Sequence, residues 1–118
     1  LSHSSAASDV YKRQLLNVPK ELLNTYGAVS EEVAEAMAIG AKKKLNSDWA
    51  ISVSGIAGPS GASELKPIGL VYIAITGPNN ETLKIKKQYN PLRNRNEIQR
   101  LSVNDCLNSL RLILLSNK

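Results

Sequence analysis

The chain has 118 residues, with 15 Lys and Arg against 10 Asp and Glu, a formal net charge of +5, and one each of Cys, His, Trp and Met with no Phe. That length holds one small domain, and a hydrophobic share of 42% drawn mostly from Ala, Leu, Ile and Val predicts an aliphatic core rather than disorder. Cys106 has no partner for a disulfide, and His3, in a polar N-terminal stretch, argues against a structural zinc site, a Ser-His-Asp triad or a Cys-His pair in the folded part.

Hydrolytic chemistry here would have to use Lys, Tyr or a carboxylate as its base. No run of eighteen apolar residues occurs, and the N-terminus lacks the order of a signal peptide, so a cytoplasmic chain with no membrane partner is expected. Leu1 to Gln14 is polar and Ser/Ala-rich without periodicity, and its tail, ASDVYKRQ, resembles translated adapter sequence. Residues 1–14 are therefore expected to be a non-native leader and 15–118 the domain proper. The only methionine, Met37, lies inside a helical pattern, so an open-ended fragment is expected. Setting the leader aside removes Lys12, Arg13 and Asp9 and lowers the net charge of +5 by one.

Leu15, Leu16 and Val18 precede Pro19, which suits the first turn of a short helix running through Leu22 and Leu23 and closed by Gly27. Ser30 is a good N-cap for the next helix, Glu31 and Glu32 complement its positive end, and Lys42, Lys43 and Lys44 its negative end. Its small inner face, Val33, Ala36, Met37, Gly40 and Ala41, predicts close packing on a sheet. Trp49 to Ser54 reads as a short strand that ends at a glycine-rich turn, Gly55 to Gly61. Gly69 to Thr76 is apolar almost throughout, as a central strand covered on both faces would be. Gly77 to Asn80 is a turn, and Leu83, Ile85, Lys87 and Tyr89 alternate with polar neighbours as an outer strand does. From about Arg95 the chain is helical, with Val103, Leu107, Leu110 and Leu114 on one stripe joined by Ile98 and Leu101. Helices alternating with buried strands predict an α/β sandwich with a mixed sheet.

Ser54-Gly-Ile-Ala-Gly-Pro59, followed by Lys66-Pro67-Ile68-Gly69, is the most specific local feature. Such a loop exposes backbone N–H groups, so it is either a phosphate or carboxylate cradle at a strand end or a plain tight turn. It is neither a Walker loop nor a dinucleotide fingerprint. Ser54 is either a nucleophile, with Lys66 or Tyr72 as the nearest bases, or a hydrogen-bonding turn residue. Lys84, Lys86, Lys87, Arg93, Arg95, Arg100 and Arg111 suit either a nucleic-acid surface or a solvated face, and the shortage of aromatics favours the solvated face. Arg95, just before the last helix, is placed to hold a phosphate with that helix terminus or to be an ordinary surface arginine. Cys106 reads as buried packing.

Taken in order, Gly27-Ala-Val-Ser-Glu-Glu-Val-Ala, then Ser52-Val-Ser-Gly-Ile-Ala-Gly-Pro59, then Lys66-Pro67-Ile68-Gly69 with Val71-Tyr72-Ile73-Ala74 resemble the C-terminal domain of the CinA family. That family comprises competence/damage-inducible proteins and nicotinamide-nucleotide amidohydrolases, and the resemblance runs from Leu15 to about Leu115. It implies a three-layer α/β/α sandwich, here incomplete at the N-terminus. It also implies hydrolysis of nicotinamide mononucleotide to nicotinic acid mononucleotide and ammonia in pyridine-nucleotide salvage, without cofactor or metal. A homodimer is expected for the intact protein, and no nucleic-acid partner.

The family's chemistry is attributed to a serine in a Glu-Ser-Cys-Thr-Gly-Gly segment, helped by a lysine and a tyrosine of a Tyr-Ser-Asn-Glu-x-Lys segment. Nothing in this chain resembles the first segment. Counting back from Leu15, the lysine falls on Lys12 and the tyrosine on Ala7, with Tyr11 out of register. By resemblance, Ser54, Gly55, Ile56, Ala57, Gly58, Lys66 and Gly69 line the nucleotide pocket. Arg95 approximates the arginine of a Phe-x-Gly-x-Arg segment, from which Tyr89, Pro91 and Leu92 depart. The expected function is thus a fragment of an amidohydrolase that is inactive alone. The alternatives are a non-catalytic nucleotide-binding or dimerisation module and, from charge and the family's competence name, a DNA-binding role.

Overall fold

A computed structural model of the chain describes residue 16 and residues 18–56 and 66–116. Pro19 N-caps the first helix, α1 (Lys20–Tyr26), with its fixed φ and with a carbonyl that accepts from the Leu22 and Leu23 amides at 3.1 and 3.2 Å. Gly27 ends it at φ 80, its amide donating to Leu23 O. Ser30 then starts α2 (Glu31–Leu45), where the Val33 amide donates to Ser30 Oγ at 3.2 Å, and Asn46 closes the helix in the left-handed region at φ 51. Pro19, Gly27 and Ser30 bound the helices as expected from the sequence, while the Asn46 cap is an addition of the structure.

Three strands follow, β1 (Ala50–Gly55), β2 (Leu70–Thr76) and β3 (Thr82–Gln88), and the last helix is α3 (Arg95–Ser116). The strands pair in the order β1-β2-β3 and are antiparallel throughout. The mixed pairing expected from the sequence is therefore not found among the described strands. Apolar runs and turn residues locate strands, but the direction in which a strand enters a sheet depends on the path of the connection.

The alternation of side chains sorts the sheet into two faces. Val71, Ile73 and Ile75 pack with Ile98 and Cys106 of α3, and Ile51, Val53 and Ile85 join them. On the other face Ala74 meets Ala34 and Ala38 of α2, beside Tyr72. Helices thus cover both faces of the sheet, as the expected three layers require. β2 is buried along nearly its whole length because it is central in both senses, while β3 alternates between partly buried and exposed positions. Lys84, on the α2 face of β3, lies 3.9 Å from Glu35 of that helix.

Two helix faces differ from expectation. The predicted inner stripe of α2 packs against α1 and the segment before it: Val33, Ala36 and Met37 join Val18, Leu22 and Leu23. The sheet instead receives Ala34 and Ala38, both essentially buried. In α3 the stripe that faces the sheet is Ile98, Ser102 and Cys106, continued by Leu110 and Ile113, whereas Val103, Leu107 and Leu114 are 50%, 59% and 45% exposed. Apolar content favoured the Val103–Leu114 stripe. Small side chains at 102 and 106 let the helix lie close to β2, and the Ser102 hydroxyl is satisfied by Ile98 O at 2.7 Å.

A hydrogen bond from the Tyr89 hydroxyl to Asp105 Oδ2 ties the exit of β3 to the middle of α3. Burial, with that carboxylate alongside, pushes the ionisation of Tyr89 far above its ordinary range, and burial followed by the Asp105 charge pushes the Cys106 thiol up to about 11. Both groups are held neutral by the fold. Their contribution is complete below the ionisation of the unfolded chain, 9.0 for the thiol, and is lost as pH rises through the folded values. The melting temperature is therefore expected to fall above about pH 9, and a Tyr89→Phe, Cys106→Ala double variant should show a flatter alkaline limb in thermal melts. Equal slopes for the two proteins would refute this.

Candidate functional site at the carboxyl end of β1

The antiparallel order brings the last residues of β1, the first of β2 and the last of β3 to one end of the sheet, since Gly55 pairs with Val71 and Leu70 with Gln88. α2 begins at this end and runs away from it. Its first turn lies near Ser54, through Ala28, and its last turn reaches the opposite end, where Lys42 Nζ donates to Pro78 O at 3.0 Å and Asn80 Oδ1 at 2.9 Å. The chain leaves the sheet at this end, after β1 and after β3, and the carboxyl ends of strands are where open α/β sheets bind ligands.

Ser54 is fully buried, 0% exposed, and its Oγ donates to Ala28 O at 2.6 Å. The resemblance had it lining the pocket. The structure turns it toward α2, because even-numbered positions of β1 face that helix, so it is a tether and not a nucleophile. Gly55 is glycine for lack of space: a Cβ there would lie 2.8 Å from Val71 Cγ2. Ile56 is buried with Val29 and Leu70, and its amide and carbonyl pair with Leu70 O at 2.9 Å and the Gly69 amide at 2.7 Å. Gly69, at φ 91, approaches Tyr89, whose amide donates to Gly69 O at 2.8 Å. Lys66 Nζ donates to Tyr26 O at 2.6 Å. Ser54, Ile56 and Lys66 are thus brought to the turn between α1 and α2, and Gly55 and Gly69 flank Ile56 where β1 meets β2. Lys12, Ala57 and Gly58 lie outside the described residues.

Arg95 begins α3 at this same end, after the loop that leaves β3, but the helix terminus is already served. Glu97 N donates to Asn94 Oδ1 at 2.9 Å, Asn94 N returns to Glu97 Oε1 at 3.2 Å, and Arg93 Nη1 reaches Glu97 Oε2 at 3.2 Å. This reciprocal cap places a carboxylate where the expected phosphate would go. Any anion held here would have to be held by Arg95 itself rather than by the helix end.

Gly27 and Ser30 punctuate the two helices, and the turn they enclose is a part of this end that helix punctuation alone does not announce. Its only sequence signal is that glycine and a hydroxyl residue flank two residues with no role in either helix. Among the described residues no group of three His, Cys, Asp or Glu is arranged to hold a metal, and no helix is long and apolar enough to cross a membrane.

Comparison with known proteins agrees with this architecture. A competence/damage inducible protein of Agrobacterium tumefaciens superposes with a TM-score of 0.83 at 37% identity, over 92% of this chain and 63% of that one. A competence or damage-inducible protein of Enterobacter asburiae gives a TM-score of 0.83 at 27% identity, over 90% of this chain and 65% of that one. A CinA-like protein of Prochlorococcus marinus strain AS9601 is 66% identical over 110 residues, which is 93% of this chain and 26% of that protein. Another from Acaryochloris marina is 47% identical over 118 residues, 100% of this chain and 27% of that protein. The chain therefore spans about a quarter of the length of these curated relatives. The family model of the CinA C-terminal domain matches residues 6–114, and with these relatives and this fold the chain belongs to the CinA C-terminal domain family.

Proposed function

We propose that the chain is part of a nicotinamide-nucleotide amidohydrolase and carries the nucleotide-holding end of the catalytic domain. The observation that supports this most is that Gly55, Ile56, Lys66 and Gly69, on which the family's motif falls, lie at the same end of the sheet, at the carboxyl end of β1. Arg95 and Lys66 bring positive charge to the same end, which suits a phosphate. The chemistry proper would come from a serine route with lysine and tyrosine as helpers, and the sequence contains no Glu-Ser-Cys-Thr-Gly-Gly segment. We therefore assign this chain binding without turnover.

The test is a calorimetric titration of nicotinamide mononucleotide into the purified chain. Saturable binding that nicotinamide alone does not reproduce is the expected result. Absence of binding by the mononucleotide at millimolar concentration, with the chain shown folded by its melt, would overturn the reading. A non-catalytic nucleotide-binding module gives the same binding result. It is separated from the enzyme reading by the gene: an intact reading frame that never encodes the serine segment favours the module.

A further inference from the structure

The two outer edges of the sheet differ in what guards them. β3 carries Lys84, Lys86 and Lys87, the kind of charge that keeps a further strand away, whereas β1 has no charge and no proline over Ala50–Gly55 and pairs with β2 without a bulge. Ile56 N donates inward to Leu70 O at 2.9 Å, so by alternation Ser52 and Ser54 also turn their backbone groups toward β2. The N–H and C=O groups of Ile51, Val53 and Gly55 then point outward, and among the described residues no strand takes them.

The space beside that edge has a helix on each face. Asp105 of α3 accepts from Tyr89, just past β3, and at about 100° per residue Val103, Leu107 and Leu114 lie on the opposite flank of the helix, the β1 side. All three are exposed. In α2, Glu35 turns to Lys84 on β3, and Val33 and Met37, on the opposite flank, pack with α1 residues. α1 therefore overhangs the β1 edge on the other face. A strand laid beside β1 is covered on both sides, with its α3-facing side chains against an apolar flank. Arg100, one turn before Val103, and Arg111, one turn after Leu107, are exposed and add positive charge at the rim of that flank. A second copy cannot offer its own β1 here, because α1 of each copy overhangs the edge where the other would have to lie.

We propose that the outer edge of β1, with the exposed flank of α3, is a docking surface for one extended segment of another polypeptide, apolar at its centre and acidic at its ends, which joins the sheet beside β1. Residues 1–14 of the chain itself are polar, with Lys12 and Arg13 against Asp9, and lack that pattern. Nucleotide binding plays no part in this surface.

The probe is a synthetic peptide of the β2 sequence, Leu70 to Thr76, with a pair of glutamates at each end, titrated into the purified chain. Binding should be saturable, and in hydrogen exchange the Ile51, Val53 and Gly55 amides should gain about tenfold or more in protection, while the Ile56 amide, already bonded, changes little. Leu107→Lys, at an exposed position, should weaken the peptide about tenfold, and Val53→Pro, which removes an outward N–H and no bond to β2, at least as much. Leu83→Lys, on β3, should leave binding unchanged. Lysines in place of the glutamates should weaken the peptide at low salt and less at high salt. Should Val53→Pro not fold, Leu107→Lys and the exchange of the parent chain decide.

No saturable binding at millimolar peptide, with the chain shown folded by its melt, would overturn the proposal. So would binding that Leu107→Lys leaves unchanged, or binding that leaves the three amides unprotected. A chain that sediments as a dimer, and as a monomer in Val53→Pro, assigns the edge to a second copy. Peptide binding gained only after residues 1–14 are removed assigns it to the N-terminus of the chain. Either result overturns the proposal.

Discussion

Replacing Gly69 with alanine is expected to destabilise the chain by about 3 kcal/mol or more, which lowers the melting temperature by on the order of 15 °C for a domain of this size. Two causes act together. Gly69 has φ 91, a conformation that L side chains rarely adopt, and a Cβ there would run into Tyr89 O and lie 3.0 Å from both Tyr89 C and Gln88 Nε2. Gln88 Nε2 is itself engaged, donating to Ile68 O at 3.0 Å and Tyr89 O at 2.9 Å, so it cannot swing away without loss. The hydrogen bond from the Tyr89 amide to Gly69 O, at 2.8 Å, joins the start of β2 to the exit of β3 and would be strained directly. Gly69→Asn separates the causes. Asparagine tolerates positive φ but brings the same Cβ, so it should be nearly as damaging as alanine. An alanine variant that melts within a few degrees of the parent would refute the account, and a well-behaved asparagine variant would show that φ alone matters.

No ammonia above a heat-killed control is expected when the chain is incubated with nicotinamide mononucleotide. A serine hydroxyl becomes a nucleophile only beside a group that can take its proton. Among the described residues the hydrogen-bonded serines spend their hydroxyls on backbone carbonyls: Ser30 on Gly27, Ser47 on Trp49, Ser52 on Ala34, Ser54 on Ala28, Ser102 on Ile98 and Ser116 on Ile113. A peptide carbonyl is no base at neutral pH, and these bonds hold each Oγ as a donor to structure. Removing the nucleophile from a serine hydrolase costs on the order of a millionfold in turnover, well below detection in an ammonia assay. Release that exceeds the control and scales with protein concentration would sink this prediction, and would direct attention to a lysine- or tyrosine-based route.

Local signals in the sequence were read in the terms the structure uses. Pro19, Ser30 and the glycine after Tyr26 mark helix ends because their φ preferences and side-chain acceptors act within one turn, with no help from distant residues. The continuous apolar run of β2 and the alternation in β3 follow from how many faces of each strand are covered. Family membership was likewise legible, because it is carried by ordered short motifs.

The choice of helix face was not. In α3 two overlapping stripes compete, and composition favours the one bearing Val103, Leu107 and Leu114. The hydrogen bond from Tyr89 to Asp105 and the packing of Ile98 set the helix rotation instead, so that Ser102 and Cys106 go inward. Strand direction in the sheet and the fate of Ser54 belong to the same class. Whether Ser54 faces a ligand or α2 depends on which side of β1 that helix occupies, and a strand's two faces are equivalent until something packs on one of them.

What the sequence by itself determined is where elements start and stop, which strand is central, and the family to which the chain belongs, since each is encoded in residues near one another. Only the tertiary structure decided which helix faces are buried, how the strands are directed, and that Ser54 and Lys66 meet on the carbonyls of one turn. The meeting on that turn joins residues 26 and 40 positions apart in the chain, and such pairings leave no local trace.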